Sequence, residues 1–505
     1  MKLSQLIAGC EIGRIVGATA VEVSGLAYDS RGVRPGDLFF ATARDPAVAR
    51  RHATQALDRG ACAVVVRNGE GGGARSAATV VECASPRRLM GTVASRFFAA
   101  PSRSLDLIGV TGTSGKTTTT YLLQSIWEAA GRPAGIIGTI GAFFNGQTLY
   151  RGLTTPESAD FEAALRTMTE AGAKAAMAEI SSIGLAEHRV DELSFRAAVF
   201  TNLGRDHLDY HASEEAYFAA KLRLFTELLP RSAHGAAVAL VNGDDPWGRR
   251  VLEAVRGERL SFGLGSDHDV RAVAQRYRAD GLTATVVTPQ ASFDVQSPLL
   301  GEINLRNILG ACAVATALGL APAAISEGVR RCAGAPGRLQ AVDGPPGVKV
   351  LVDYAHKPDA LAAVLATLRP LCSRRLICVF GCGGDRDRGK RPLMGEIAGR
   401  LADITIVTND NPRSEEPRNI IAEIEKGLVQ SGRRPLAEWT AASSCGYIVE
   451  ADRRAAIAIA LTIAREGDIV VIAGKGHEDY QLIGNQRIAF DDRRVVEELT
   501  ATIAG

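Results

Sequence analysis

No CxxC pair occurs in this sequence, although nine cysteines are scattered from Cys10 to Cys445. That spacing argues against a zinc ribbon or a small disulfide framework and fits reduced thiols in a cytosolic protein. Long apolar runs are also missing: none approaches the roughly 18 residues of a membrane span. The opening MKLSQLIAGCEIGR has no basic segment followed by a sustained apolar stretch, so it does not read as a secretory leader, and a cytoplasmic location is expected. Charge of one sign is lacking too. The 58 Lys and Arg against 56 Asp and Glu leave a formal net charge of +2, without the basic stripe that a nucleic acid requires. Neither nucleic-acid binding nor membrane insertion is expected, and any anion must be bound locally. Repeats with periods of about 20 to 50 residues are absent, which removes solenoids and propellers.

What is present describes a large globular enzyme-sized chain. Its 505 residues exceed one ordinary core, and a length prior suggests about three domains. Segments 61–66 (ACAVVV) and 79–83 read as short strands of a small N-terminal α/β module that ends near Pro101. Within it, GEGGGARSAA at 69–78 reads as a flexible loop. From 105 onward, strand-like runs (LDLIGV at 105, AAMAEI at 175, AAVFTNL at 197, AAVALVN at 236) alternate with helical stretches, the pattern of a parallel sheet covered by helices. The alternation restarts after Gly337-Arg338 with VKVLVDY, RLICVFG, DITIVT and DIVVIAG, which predicts a Rossmann-like third domain. The expected fold is therefore α/β in three domains, 1–103, 104–336 and 337–505.

LDLIGV runs directly into VTGTSGKTTTTYLL, so a glycine-rich turn opens a helix whose free N–H groups and dipole favour phosphate. Gly112, Thr113, Ser114, Gly115, Lys116, Thr117 and Thr118 are the candidate ATP contacts. Lys116 would neutralise phosphate oxygens, and Thr117 could place its hydroxyl in a Mg2+ shell. The usual GxxxxGK[ST] spacing would need glycine where Val110 stands. A turn that merely joins strand to helix is the plainer alternative, but a Gly-Lys-Thr run at that junction favours phosphate. The middle segment is accordingly read as a P-loop ATPase domain. Such a loop does not distinguish a kinase, a motor, a GTPase or a ligase.

Further stretches narrow the choice. TTPES at 154, AEISS at 178, FTNLGRDHLDYH at 200, YAHKPDAL at 354, FGCGGDRDRGKRPLMG at 380, DNPR at 410 and GKGHEDY at 474, together with GTSGKTT at 112, follow in order along almost the whole chain. In these motifs the sequence resembles the Mur ligase family. The resemblance implies an ATP-dependent ligase that adds meso-2,6-diaminopimelate to UDP-N-acetylmuramoyl-L-alanyl-D-glutamate through an acyl phosphate, during peptidoglycan precursor synthesis. It implies small-molecule partners only, ATP and Mg2+ as cofactors, and a monomer is expected.

Individual roles follow from position and from that resemblance. Glu179 ends an apolar strand, where α/β ligand sites form, and looks like a Mg2+ ligand; the resemblance makes His207 another, and His211, four residues later, is read as structural. Lys221 shares a helix face with Phe218, Leu222 and Phe225, so it is read as half buried. Burial favours the neutral amine that reacts with carbon dioxide, and the resemblance implies carbamylation to N6-carboxylysine, an anionic metal ligand. Without the resemblance, the sequence favours a lysine snorkelling over apolar surface. The resemblance adds Asn304, Arg338 and Asp353 to the nucleotide site, which would then straddle two domains and close on binding. It assigns Ser30, within YDSR, and Thr154, Thr155, Ser181, Glu187 and Arg189 to the UDP-substrate. Three departures from the family pattern bear on that end: Val48-Ala49 in place of Asp-Gly, Ile183 where His is common, and Glu187 for a glutamine. For the amino acid, the resemblance points to Asp410, Asn411, Pro412 and Arg413 (DNPR) with Arg386, Gly474 and Glu478. Arg413 has a physical rationale. Diaminopimelate is lysine with a second carboxylate, which a guanidinium can grip bidentately. The alternatives are a same-family ligase for lysine or another acceptor, and a nucleotide-binding paralogue without chemistry.

Overall fold

Strands in this chain form where β-branched and small apolar residues run together long enough to be buried on both faces, and a computed structural model shows where those runs pair. It describes residues 1–71, 78–207, 209–436 and 444–504. The central six residues of the glycine-rich stretch at 69–78, numbers 72–77, lie outside the described residues, and with them most of the expected loop. The chain divides into two compact units: one comprises 1–271, 287–291 and 309–328, the other 272–286, 292–308 and 329–505.

The first unit opens with a five-stranded sheet. Its strands Gly25–Ala27, Asp37–Phe40, Ala63–Arg67 and Thr79–Cys83 run parallel as neighbours, and Arg14–Val16 closes the edge antiparallel to Thr79–Cys83. Helix Pro46–Asp58 starts on Asp45, whose carboxylate accepts from the amides of Ala47 and Val48, and helix Pro86–Phe97 starts on Ser85. Val48 and Ala49 thus belong to the first turn of a capped helix, with Ala49 buried.

The same unit carries a larger parallel sheet in the order Glu258–Gly263, Val238–Asn242, Ala197–Phe200, Asp106–Thr111, Ala175–Glu179, Ala134–Gly138, extended by the antiparallel strands Gly141–Phe144 and Gln147–Tyr150. Asp106–Thr111 lies between Ala197–Phe200 and Ala175–Glu179. Its register sets Val110 beside Glu179, so the loop that follows and the Glu179 carboxylate emerge at one end of the sheet. Phe161, Leu165, Phe195, Phe200 and Phe225 are fully buried in the core that holds these strands.

In the second unit, strands Lys349–Asp353, Ile469–Ala473, Leu376–Phe380, Ile404–Val407 and Gly446–Val449 are parallel in that spatial order, with Gln340–Val342 antiparallel at the edge. Separate apolar clusters cover its two faces, one around Leu361, Met394 and Ile424, the other around Ile457, Leu461 and Val496. This is a doubly covered open α/β sheet, whose ligand crevices form at the carboxyl ends of the strands. All nine cysteines are free thiols, and among the described residues no helix is long and apolar enough to cross a membrane.

Candidate active site

The phosphate loop is built by steric exclusion. Gly112 has φ +147°, and a Cβ there would sit 1.9 Å from Thr201 Oγ1, so only glycine lets the chain turn so close to the neighbouring strand. Gly115, at φ +88°, precedes helix Lys116–Ala129. Asn202 pins the turn from outside: its Oδ1 accepts from the Ser114 amide at 2.9 Å, and its backbone oxygen accepts from the Thr113 amide at 2.9 Å. Thr117 and Thr118 are buried in the first helical turn.

Two lysines converge on one carbonyl of this loop. Lys116 Nζ donates to the oxygens of Gly112 (2.9 Å) and Thr113 (3.0 Å), and Lys221 Nζ donates to the same Gly112 oxygen at 2.9 Å. Lys221 comes from helix Glu214–Arg223, capped by Ser213, and is only 1% exposed, so the side chain is sealed rather than snorkelling. Phe218 and Phe225 are buried with it, as the helix-face argument requires, whereas Leu222 is partly buried. Burial, reinforced by the nearby Lys116 ammonium and opposed by Asp206, holds the Lys221 amine well below the ordinary lysine range.

Tyr217, one helical turn before Lys221, was not foreseen from sequence. Its ring lies 4.5 Å beneath Lys221 Nζ, and its hydroxyl is 3.1 Å from Thr113 Oγ1. Burial raises the phenol to about 12. The i, i+4 spacing of Tyr217 and Lys221 was the available signal. His207 stands beside this pair, its ring centroid 6.1 Å from Tyr217's, with backbone φ +53°. His211 is buried, with Nε2 3.0 Å from Ser182 Oγ.

Glu179 is 1% exposed. Its two oxygens accept from the Thr139 amide and hydroxyl, both at 2.9 Å, and a Cβ on Gly138 would stand 2.3 Å from Oε1. The Thr139 hydroxyl is also 3.2 Å from that of Thr154. Thr155 Oγ1 donates to the Glu179 backbone oxygen (2.8 Å) and accepts from the Ser181 amide (2.9 Å), while Ser181 Oγ caps the next short helix through Gly184. Arg189 Nη1 donates to the Thr155 oxygen at 3.1 Å and its Nε pairs with Glu157 at 3.1 Å. Thr154, Thr155, Ser181 and Arg189 therefore gather around the end of the Glu179 strand. Ile183 lies in the short helix Ser182–Ala186.

Glu187 is engaged differently. Its carboxylate pairs with Arg44 and Arg87 and accepts from the Tyr210 hydroxyl, while Arg87 also reaches Glu157 at 3.1 Å. Glutamate at this position thus acts as counter-ion to two arginines far away in sequence. Ser30 is buried and donates to Gln55 Oε1 at 2.8 Å.

Thr117 and Glu179 offer hydroxyl and carboxylate oxygens, the hard donors that Mg2+ prefers. Among the described residues no set of three or more His, Cys, Asp or Glu side chains is gathered in metal-holding geometry. A carbamate on the sealed, basic-range-depressed Lys221 would add an anionic oxygen donor to Thr117 and Glu179, so the donor set fits the ion once that modification is made.

The second unit holds the remaining candidates. Asn304 is buried, donating to the Leu300 oxygen at 2.9 Å. Asp353 accepts from the amides of Leu339 (2.7 Å) and Ala355 (2.8 Å), and burial, opposed by Arg338, raises its carboxyl. Arg338 stacks over Tyr354 at 4.8 Å.

Asp410, Asn411, Pro412 and Arg413 meet the 474–478 loop. Arg413 adopts a left-handed φ of +52°, its amide donates to the Leu482 oxygen at 3.0 Å, and its Nη1 donates to the Gly384 oxygen at 2.8 Å. Asn411 Nδ2 donates to Glu478 Oε2 at 3.0 Å. Gly474 has φ +118°, and a Cβ on it would approach Asp410 Oδ2 to 3.5 Å. Arg386 is exposed, its Nη1 donating to the Asp385 oxygen at 3.1 Å. Lys475, within this group and fully buried, was not selected from the sequence, because nothing in a glycine-rich loop announces that a lysine points inward.

Comparison with known proteins agrees with this arrangement. A family model described as Mur ligase middle domain matches residues 110–315, and one described as Mur ligase, glutamate ligase domain matches 337–476. A UDP-N-acetylmuramoyl-L-alanyl-D-glutamate--2,6-diaminopimelate ligase of Geobacter metallireducens is 44% identical over 503 residues, covering 98% of this chain and 96% of its own. The protein of that name from Pseudomonas aeruginosa is 43% identical over 479 residues, covering 94% of each. A solved structure of a ligase with that name aligns with TM-score 0.70 at 34% identity, over 100% of this chain and 99% of its own. A MurF ligase from Thermotoga maritima in complex with ADP shares the fold, with TM-score 0.62 at 19% identity over 95% and 96% of the two chains. With relatives spanning it nearly end to end and family models matching its middle and C-terminal parts, the chain belongs to the Mur ligase family.

Proposed function

We propose that this chain is an ATP-dependent, ADP-forming ligase that joins meso-2,6-diaminopimelate to the glutamate carboxylate of UDP-N-acetylmuramoyl-L-alanyl-D-glutamate in peptidoglycan precursor synthesis. The observation that carries the reading is the pocket in which Arg413, Asn411 and Glu478 are tied together by hydrogen bonds, in a chain 44% identical to a ligase of that name. A guanidinium and a carboxylate on neighbouring loops suit a substrate end that bears both a carboxylate and an ammonium.

The chemistry runs in two steps. The glutamate carboxylate attacks the γ-phosphorus of ATP, forming an acyl phosphate and releasing ADP. The amine of diaminopimelate then attacks the acyl carbon, phosphate departs, and the ammonium proton is lost to solvent. Both steps bring anions together, so catalysis is chiefly positioning and cationic stabilisation. Lys116 and the loop amides of Gly112 to Thr118 hold the phosphates, with Asn304, Arg338 and Asp353 as further nucleotide contacts. Thr117, Glu179, His207 and carbamylated Lys221 are the residues that would hold Mg2+, which supplies charge compensation on the transferring phosphoryl group. Ser30, Thr154, Thr155, Ser181, Glu187 and Arg189 belong to the UDP-substrate end, Glu187 by fixing Arg44 and Arg87. Asp410, Pro412, Arg386 and Gly474 complete the amino-acid pocket. In this reading 1–103 binds the UDP-sugar, 104–336 binds ATP and 337–505 binds the amino acid, in a cytoplasmic monomer whose partners are small molecules.

The test is phosphate release from ATP with UDP-muramoyl-dipeptide, comparing meso-diaminopimelate with L-lysine. Turnover with diaminopimelate supports the reading. Turnover with lysine alone sinks the assigned amino acid while leaving a ligase, and turnover with neither sinks the substrate assignment.

A further inference from the structure

Lys475 has no exposed surface, yet its Nζ donates to Glu478 Oε2 at 3.2 Å and to Asn411 Oδ1 at 3.3 Å, and it forms a longer ion pair with Asp410 Oδ1 at 3.7 Å. An ammonium sealed from water is tolerated only where partners replace its hydration, and here the Glu478 carboxylate and the Asn411 amide oxygen do so, with Asp410 adding charge at longer range. The arrangement also dictates how its neighbours turn. Asn411 Oδ1 accepts from both Lys475 Nζ and the Leu482 amide, the latter at 2.9 Å, so the amide nitrogen must face the other way, toward Glu478 Oε2 at 3.0 Å. Glu478 Oε2 therefore receives two internal donors, whereas no donor from the described residues reaches Oε1.

Lys475 and the buried Arg453 together set two positive charges against the carboxylates of Asp410 and Glu478.

We propose that Lys475 is a positioning residue for the amino-acid substrate: it fixes the Asn411 amide and clamps Glu478 Oε2, so that Oε1 is presented to the substrate's distal ammonium. The proposal rests on reading the Arg413–Glu478 pocket as the diaminopimelate site.

Its test uses the full-length enzyme with Lys475→Met and with the double variant Lys475→Met/Asp410→Asn, which removes one charge of each sign and guards against loss of folding. Asp410→Asn alone serves as reference. In each, KM for meso-diaminopimelate, KM for ATP, kcat and Tm are measured. The expected result is a KM for diaminopimelate raised about tenfold or more in both Lys475 variants relative to their Lys475-containing references, as loss of a charge-assisted hydrogen bond implies. KM for ATP and kcat at saturation stay within about threefold. A lowered Tm with unchanged KM for diaminopimelate in a folded variant overturns the proposal, because that is what a purely structural lysine would give. Wild-type enzyme that turns over with lysine but not diaminopimelate overturns the pocket reading and this proposal with it, an outcome visible before any variant is made.

Discussion

Replacing Arg413 by alanine should convert a selective enzyme into an unselective one. The backbone of Arg413 is held on both sides, by its own amide to Leu482 (3.0 Å) and by the Gly484 amide to its carbonyl (2.7 Å), at a left-handed φ of +52°. The guanidinium is tethered through Nη1 to Gly384, and Nε and Nη2 have no hydrogen-bond partner among the described residues. In the proposed pocket that free edge is the fork that would grip a carboxylate with two parallel bonds. A hydrogen bond to a charged group contributes about 1.5–3 kcal/mol, so Arg413→Ala should lower kcat/KM for meso-diaminopimelate by roughly 10- to 150-fold. L-Lysine lacks the second carboxylate and never used the fork, so its kcat/KM should hold or rise, since no guanidinium is then left unpaired. Arg413→Lys should recover little, because an ammonium cannot form the planar pair. The assay is coupled phosphate release at saturating ATP and UDP-substrate with each amine varied. A variant whose diaminopimelate-to-lysine ratio equals that of the wild type would refute the reasoning.

Other perturbations test other parts of the molecule. Lys221→Met should abolish ligation, by at least about a hundredfold if the lysine supplies a metal-binding carbamate. In buffer stripped of carbon dioxide the same variant should be more stable than wild type: the folded-state amine titrates below the ordinary value of 10.5, so the wild-type penalty is largest at low pH and fades as pH rises toward that value. Thermal scans across pH that show no such convergence would mean that Lys221 stays charged. Glu162, buried on helix Ser158–Glu170, has its carboxyl pushed up to about 8, by burial first and then by Glu192. Its cost to stability appears as pH rises above the usual 4.5 and is complete above about 8, so Glu162→Gln should raise Tm at pH 8 by removing a penalty on the order of 3–5 kcal/mol and change little at pH 4. A Tm gain independent of pH would contradict it. His477 is pushed down to about 4 by burial, with Arg338 and Arg493 adding to the effect. The neutral ring is therefore favoured in the fold, stability is lost as pH falls from about 6.5 to about 4, and His477→Gln should flatten the Tm profile over that window by about 3 kcal/mol.

Which features could be read in advance follows from how local their causes are. The parallel strands at 106–111, 175–179, 349–353, 376–380 and 469–473 are short apolar runs buried on both faces, and such runs are legible because every residue must be apolar. Arg14–Val16 is exposed at all three positions and Gly25–Ala27 is half-buried throughout, so neither shows a pattern that separates it from a loop. The hairpin Gly141–Tyr150 was missed for a similar reason, its outer strand being exposed or half-buried along its length. The phosphate loop was legible because its glycines answer a local steric demand, the close approach of Thr201 to Gly112.

Charge partnerships were the least legible, since their causes lie far apart in sequence. Glu187 can be picked out as a candidate substrate residue, but its bonding partners, Arg44 and Arg87, stand 143 and 100 positions away. Lys475 shows the same limit from the opposite side. Its three partners come from two separate loops, and only when strands 404–407 and 469–473 are set in one sheet do those loops meet. Family motifs mark which residues matter; the fold decides what each is bonded to. That difference bears on the proposed specificity, because Arg413 and Glu478 would read an amino acid's two charges only while the bonds through Asn411 hold them in fixed relation.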